Sequence, residues 1–166
     1  GNHGIFGNMT ITSPGNSRKI ITVGSLSDSG TGGNFADAYV SFCSSRGPTL
    51  IDHALKPDLI APGHRFVATV PQDGRLPEYF PTRVTACGAG CTGNYMELSG
   101  TSMAAAMVSG SALLMLSRDP TLTPSTIKAR LMRSARKIAG SDPTATGAGV
   151  LDVGAALTAT GIVTGQ

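Results

Sequence analysis

Apolar positions fall in short β-branched bursts through the first two fifths of the chain and in one long run later. Lys19-Ile20-Ile21-Thr22-Val23-Gly24 predicts a buried strand ended by glycine. After a loop over 28–34, Tyr39-Val40-Ser41-Phe42 predicts a short strand. Lys56-Pro57-Asp58-Leu59-Ile60-Ala61-Pro62-Gly63 sets a brief extended stretch between two prolines, and Phe66-Val67-Ala68-Thr69-Val70 predicts a further strand. Residues 71–93 are rich in Pro, Gly and polar side chains without a period, which predicts a long loop excursion. Residues 102–116 are apolar nearly all round, the pattern of a central buried helix. Arg118-Asp119-Pro120 ends it. Thr123-Pro124 then offers an N-cap followed by proline at the first helical position, opening a helix with Ile127, Leu131 and Ala135 on one face. Residues 147–157 predict a turn, a short strand and a last short helix.

The 166 residues, 40% of them hydrophobic, fit one globular domain with an ordinary core. No apolar run approaches the roughly 20 residues that span a bilayer, and the first residues lack the pattern of a signal peptide. The chain opens at Gly1 within what reads as a motif, which predicts a piece of something longer. The net charge is only +3, and Lys128, Arg130, Arg133, Arg136 and Lys137 sit together on a predicted helix. That is a solvated face; a nucleic-acid footprint needs a broader basic surface with stacking aromatics, so no nucleic-acid partner is expected. Cys87 and Cys91 are spaced to close a small loop with Cys43 left over, but spacing does not establish connectivity. No second cysteine pair or neighbouring histidine completes a zinc site.

Candidate chemistry centres on Leu98-Ser99-Gly100-Thr101-Ser102-Met103-Ala104-Ala105-Ala106-Met107. Serine is a strong N-cap, so Ser102 reads first as the cap of the apolar helix. Gly100 allows a sharp entry into that helix. A serine hydroxyl at the helix start would then face free N–H groups and a dipole that favour developing negative charge. Cap and nucleophile are compatible roles. Rival motifs fail: Gly100-Thr101-Ser102-Met103-Ala104 lacks the last glycine of a nucleophile elbow, and Ser125-Thr126-Ile127-Lys128 lacks the companion elements of penicillin-binding enzymes.

Five separated stretches then agree in order. Gly1-Asn2-His3-Gly4, Thr22-Val23-Gly24-Ser25, Phe42-Cys43-Ser44-Ser45-Arg46-Gly47-Pro48-Thr49, Lys56-Pro57-Asp58-Leu59-Ile60-Ala61-Pro62-Gly63 and Leu98-Ser99-Gly100-Thr101-Ser102-Met103-Ala104 resemble the subtilisin-like serine proteases. Gly147-Ala148-Gly149-Val150-Leu151-Asp152-Val153 resembles the end of that family's domain. The resemblance implies an α/β fold: the C-terminal portion of a three-layer domain, spanning 1–166, with a mainly parallel sheet and a buried central helix. It implies a serine endopeptidase in which Ser102 attacks the scissile carbonyl, while the Asn2 amide and the Ser102 N–H hold the oxyanion. It places Gly1, Phe6, Ser13, Pro14, Gly15, Gly100 and Thr101 on the substrate-binding surface, with Met9 beside Phe6 as a pocket-lining candidate. It also implies an exported protein, in which Cys87 and Cys91 pair.

In this family the triad Asp and His precede the oxyanion Asn. The resemblance therefore implies a partner, the N-terminal part of the same protease, and a peptide or protein substrate. His3, His53 and His64 stand outside the family's catalytic His motif, and Asp58 matches a Lys-Pro-Asp element of structural character. Where the family usually has Pro-His after Met-Ala-Ser, this chain has Ala106-Met107. No cofactor is required; the resemblance admits calcium, for which the residues identify no ligand set. The alternative is a non-catalytic binding or assembly module built on a protease fold. Retention of Asn2 beside Ser102 argues against it, since a scaffold has no use for a nucleophile facing an oxyanion donor.

Overall fold

The computed structural model describes residues 1–29, 37–71, 73–86, 88 and 94–164. Strand β1 (Val23–Ser27) is buried at all five positions. It pairs antiparallel with β2 (Tyr39–Val40) and parallel with β3 (Leu59–Pro62), Val23 opposite Leu59 and Leu26 opposite Pro62. On the far side of β3, Ile60 forms a parallel bridge to Val150, which bridges antiparallel to Arg136. This order gives the parallel centre that the family resemblance implies. Side chains alternate across it: Val23, Leu59 and Ala61 face one apolar cluster, and Leu26 and Ile60 join Val150 in the other.

Beyond β3 the chain leaves this layer and builds a second, antiparallel sheet. Strand β4 (Phe66–Val70) is followed by helix α1 (Arg75–Tyr79), a 3₁₀ turn (Pro81–Arg83), β5 (Val84–Ala86) and β6 (Asn94–Leu98), in sheet order β4-β6-β5. The excursion expected to be loop over 71–93 thus carries a helix and a strand, and β6 was not expected at all. Strand β6 shows no burial alternation to announce it, since Met96 is buried and its other four positions are half-buried.

Strand β6 runs into α2 (Thr101–Arg118), the expected apolar helix. Thr101, Ala104, Val108, Ser111 and Met115 are buried, but Leu113 and Leu114 are 67% and 53% exposed. Within this chain one face of α2 packs on β1 and β3 while the other lies open, a partial departure from burial all round. Helix α3 (Pro124–Ser134) starts where predicted, with the Thr123 side chain accepting from the Thr126 amide. Its Ile127 and Leu131 enter the α2 cluster. Two short helices follow: α4 (Pro143–Thr146), capped by Asp142, and α5 (Val153–Thr158), capped by Asp152. Only the second was expected.

The strand predicted over 19–24 begins later, at Val23, because side chains occupy the backbone before it. Lys128 Nζ donates to the carbonyls of Arg18 (3.0 Å) and Ile20 (2.8 Å), and the Thr22 amide donates to Asp58 Oδ2 at 2.7 Å. Cys43 is a half-buried free thiol; the expected Cys87–Cys91 pair lies outside the described residues. Among the described residues no helix is long and apolar enough to cross a membrane.

Candidate active site

The site forms where the two sheets meet the start of α2. Gly63, just past β3, packs so closely that a Cβ there would lie 2.7 Å from the Gly100 carbonyl oxygen, 2.7 Å from Ser25 Oγ and 3.1 Å from Ala104 Cβ. The Gly63 carbonyl accepts from the Gly100 amide at 2.8 Å. Gly100 is the N-cap of α2 at φ 152°, a conformation costly for any residue with a side chain. These two glycines let β6 turn abruptly into the helix.

Ser102 therefore does not cap α2. It is the helix's second residue and is exposed. The amide and hydroxyl of the buried Thr101 both donate to Asn2 Oδ1 at 3.0 Å, so the Asn2 carboxamide does what a capping side chain would do. With Oδ1 engaged, the Asn2 Nδ2 group is the remaining donor and lies alongside Gly100. Among the described residues the Ser102 amide donates to no backbone carbonyl. One helix N-terminus thus presents a hydroxyl, an amide N–H and a carboxamide N–H, all biased toward negative charge by the helix dipole.

Asn2 is held there by the motif around residue 44. His3 N donates to Ser45 Oγ (3.0 Å), Gly4 N to the Cys43 carbonyl (2.9 Å) and Ser45 N to the Gly1 carbonyl (2.9 Å). That loop is tied to β1 in turn, since Ser44 Oγ accepts from Ser25 N at 3.0 Å and Ser25 Oγ meets Ser41 Oγ at 2.9 Å. Three buried hydroxyls join the loop to the strand, beside the backbone bond from the Ser41 amide to the Ser25 carbonyl at 2.8 Å.

The turn at 13–15 closes through Asn16 N to the Thr12 carbonyl and Ser17 N to the Pro14 carbonyl. Ser13 and Pro14 are exposed, Gly15 half-buried, and Thr12 Oγ1 lies 3.2 Å from where a Gly1 Cβ would stand. The structure so brings Gly1, Asn2, Gly100, Thr101 and Ser102 together, with the 13–15 turn reaching Gly1 through Thr12. Phe6 is 74% exposed and its ring stacks on His3 at 6.4 Å; Met9 is exposed. His53 is exposed, and His64 bonds Ser27 Oγ through Nδ1 at 3.0 Å, facing a separate cavity of about 560 Å³.

Sequence reasoning missed a buried charge cluster. Asp58 Oδ2 receives Lys56 Nζ at 2.7 Å and Asp58 Oδ1 receives Lys128 Nζ at 3.0 Å, with side-chain exposures of 2% for Lys56, 6% for Asp58 and 19% for Lys128. Burial pulls the Lys56 ammonium below the usual lysine range, and its bond to Asp58 offsets part of that fall. A lysine between Leu55 and Pro57 in an otherwise apolar stretch was the available signal. Among the described residues no three His, Cys, Asp or Glu side chains converge as a metal ligand set.

This fold, with an exposed serine on a helix whose preceding threonine is bonded to an asparagine, defines the class. The subtilase family model matches residues 1–152, and the chain belongs to that family. It is 38% identical over 143 residues to serine protease AprX of Bacillus subtilis, covering 86% of this chain and 30% of that protein. In structure it is similar to the CspB protease of Clostridium perfringens, at 28% identity and TM-score 0.66 over 90% of this chain and 28% of that one. It is also similar to fervidolysin from Fervidobacterium pennivorans, a keratinolytic enzyme related to subtilisin, at 27% identity and TM-score 0.65 over 89% and 20% of the two chains. The chain thus spans about a third or less of the length of these relatives.

Proposed function

We propose that this chain carries the nucleophile and oxyanion donors of a subtilisin-like serine endopeptidase, which cleaves peptide bonds through an acyl-enzyme on Ser102. The observation that carries the reading is the Asn2 carboxamide, fixed by two bonds to Thr101 so that its N–H group lies alongside Gly100, two residues before the exposed Ser102. Ser102 Oγ attacks the scissile carbonyl carbon as its proton passes to a histidine. The carbonyl oxygen takes up negative charge between Ser102 N–H and Asn2 Nδ2. Collapse expels the amine with that proton and leaves an ester on Ser102, which water hydrolyses by the same route in reverse.

The histidine and its aspartate are assigned to the N-terminal part of the protease. Of the histidines described here, His3 stacks on Phe6, His53 lies exposed and His64 bonds Ser27. The open face of α2 with Leu113 and Leu114 is the apolar surface that such a part would cover. The turn at 13–15 forms a wall for the substrate side chain before the scissile bond, and the assembly works on peptides or proteins outside the cell.

A fluorophosphonate probe tests this directly. In the assembly of this chain with its N-terminal part, Ser102 is labelled, and Ser102→Ala abolishes both labelling and turnover. Asn2→Ala lowers kcat by about 10² to 10³ with little change in KM, the size of effect known for the corresponding donor of subtilisin, a member of this family. A folded assembly that neither labels nor hydrolyses peptides overturns the enzyme and leaves the binding module.

A further inference from the structure

The buried charge cluster touches none of the atoms that would react, yet it is wired to the substrate wall. Asp58 takes Lys56 and Lys128 on its two oxygens, and the oxygen bound by Lys56 also accepts the Thr22 amide at 2.7 Å. The Thr22 carbonyl returns the bond, accepting from the Asp58 amide at 2.8 Å. Thr22 Oγ1 then donates to the Gly15 carbonyl at 2.6 Å, inside the 13–15 turn. Lys128 ties helix α3 to this path. Besides Asp58, its ammonium holds the carbonyls of Arg18 and Ile20, and Lys56 Nζ shares the Ile20 carbonyl at 3.3 Å.

A fold needing only stability here would gain as much from well-packed apolar side chains, because desolvating three ionic groups offsets most of their attraction. An ion cluster does something apolar contacts do not: it fixes direction. The three donors of an ammonium engage two carbonyls and a carboxylate in one orientation, and residues 18–22 can slide along none of them without breaking a charged bond. The segment so held is the stem of the 13–15 turn.

We propose that Lys128 is a positioning residue for substrate binding: through Asp58 and Thr22 it sets the placement of the Gly15 carbonyl and the 13–15 turn, and thereby the depth of the pocket for the side chain before the scissile bond. This rests on the protease reading for the role of the turn. The linkage from α3 to Gly15 stands on the geometry alone.

Two measurements test it. In this chain, amide hydrogen exchange over residues 12–17 accelerates about tenfold in Lys128→Met, while exchange at Thr101 and within α3 is unchanged. Lys128→Arg restores most of the protection. Thr22→Val, which keeps the buried volume and removes only the bond to Gly15, gives the same local acceleration and serves if Lys128→Met does not fold. In the active assembly, Lys128→Met and Thr22→Val raise KM about tenfold for peptides with a large side chain before the scissile bond, leaving kcat within about twofold. They leave glycine at that position unaffected.

Unchanged exchange over 12–17 in both variants overturns the proposal while the labelling of Ser102 still stands. An equal loss for glycine and large side chains, or a loss in kcat alone, overturns it as well by showing general damage. If the unaltered assembly never labels with fluorophosphonate, the protease reading itself has failed, and accelerated exchange then records a link that serves no substrate.

Discussion

The two sheets of this molecule are built from the same kinds of residue and meet opposite fates. Strand β1 and the Leu59–Ala61 stretch of β3 are buried throughout, with Leu59, Ile60 and Ala61 at 0% exposure, whereas β4 lies largely in solvent, with Val67 at 51%. The chain crosses between them twice, from β3 to β4 past Gly63 and from β6 into α2 past Gly100. Ser102 and Asn2 sit at that seam. The buried sheet supplies fixed coordinates, the exposed one supplies the approach into α2, and the Gly63–Gly100 bond joins the two frames. Position at the site is thus borrowed from the rigid layer without the site itself being buried.

The sharpest way to break this contrast is to truncate one side chain on each side. Leu59→Ala removes a fully buried leucine and costs about 2–5 kcal/mol in urea unfolding, while Val67→Ala stays within about 0.5 kcal/mol. Equal losses would mean that the antiparallel sheet shares the core. Next in size is the seam. Gly63→Ala drives a methyl into the Gly100 carbonyl and Ser25 Oγ and costs about 1–3 kcal/mol, with fluorophosphonate labelling of Ser102 in the assembly falling alongside. Stability lost with labelling intact would show that the seam carries load but not geometry.

The smallest effect lies away from both sheets and varies with pH. The bond from the Ala155 amide holds the Asp152 carboxyl below its usual range, and the bond from the Thr144 hydroxyl does the same for Asp142. Folding favours their charged forms. The unfolded chain therefore binds more protons as pH drops below about 4, so the contribution is full above that value and is lost as pH falls through the lower folded values. Asp152→Ala costs about 1 kcal/mol at neutral pH, measured by urea unfolding, and progressively less in acid.

What the sequence made legible follows the range of the forces involved. Helix α3 was readable because its signals are local: Thr123 caps it, Pro124 starts it and Ile127 and Leu131 repeat at four. The start of β1 was misread because the competing bonds come from Asp58, 36 residues on, and Lys128, more than a hundred residues on. Helix α4 was missed although Asp142-Pro143 carries the same signature as Thr123-Pro124; its four residues give no apolar period to confirm it. At the site, family resemblance had named Ser102, Asn2, Gly100 and Thr101, which the structure brings together, and the structure adds what no motif states. Thr101 is the residue that orients Asn2, and Ser102 does not cap the helix.

The buried cluster of Lys56, Asp58 and Lys128 also constrains how this sequence can drift. Removing Asp58 alone strands two ammonium groups without their carboxylate and costs about 3–5 kcal/mol, while exchanging a whole buried cluster for apolar residues of similar volume is close to neutral. A lineage can lose Asp58 only by concerted change, so the two lysines guard it against single-step loss.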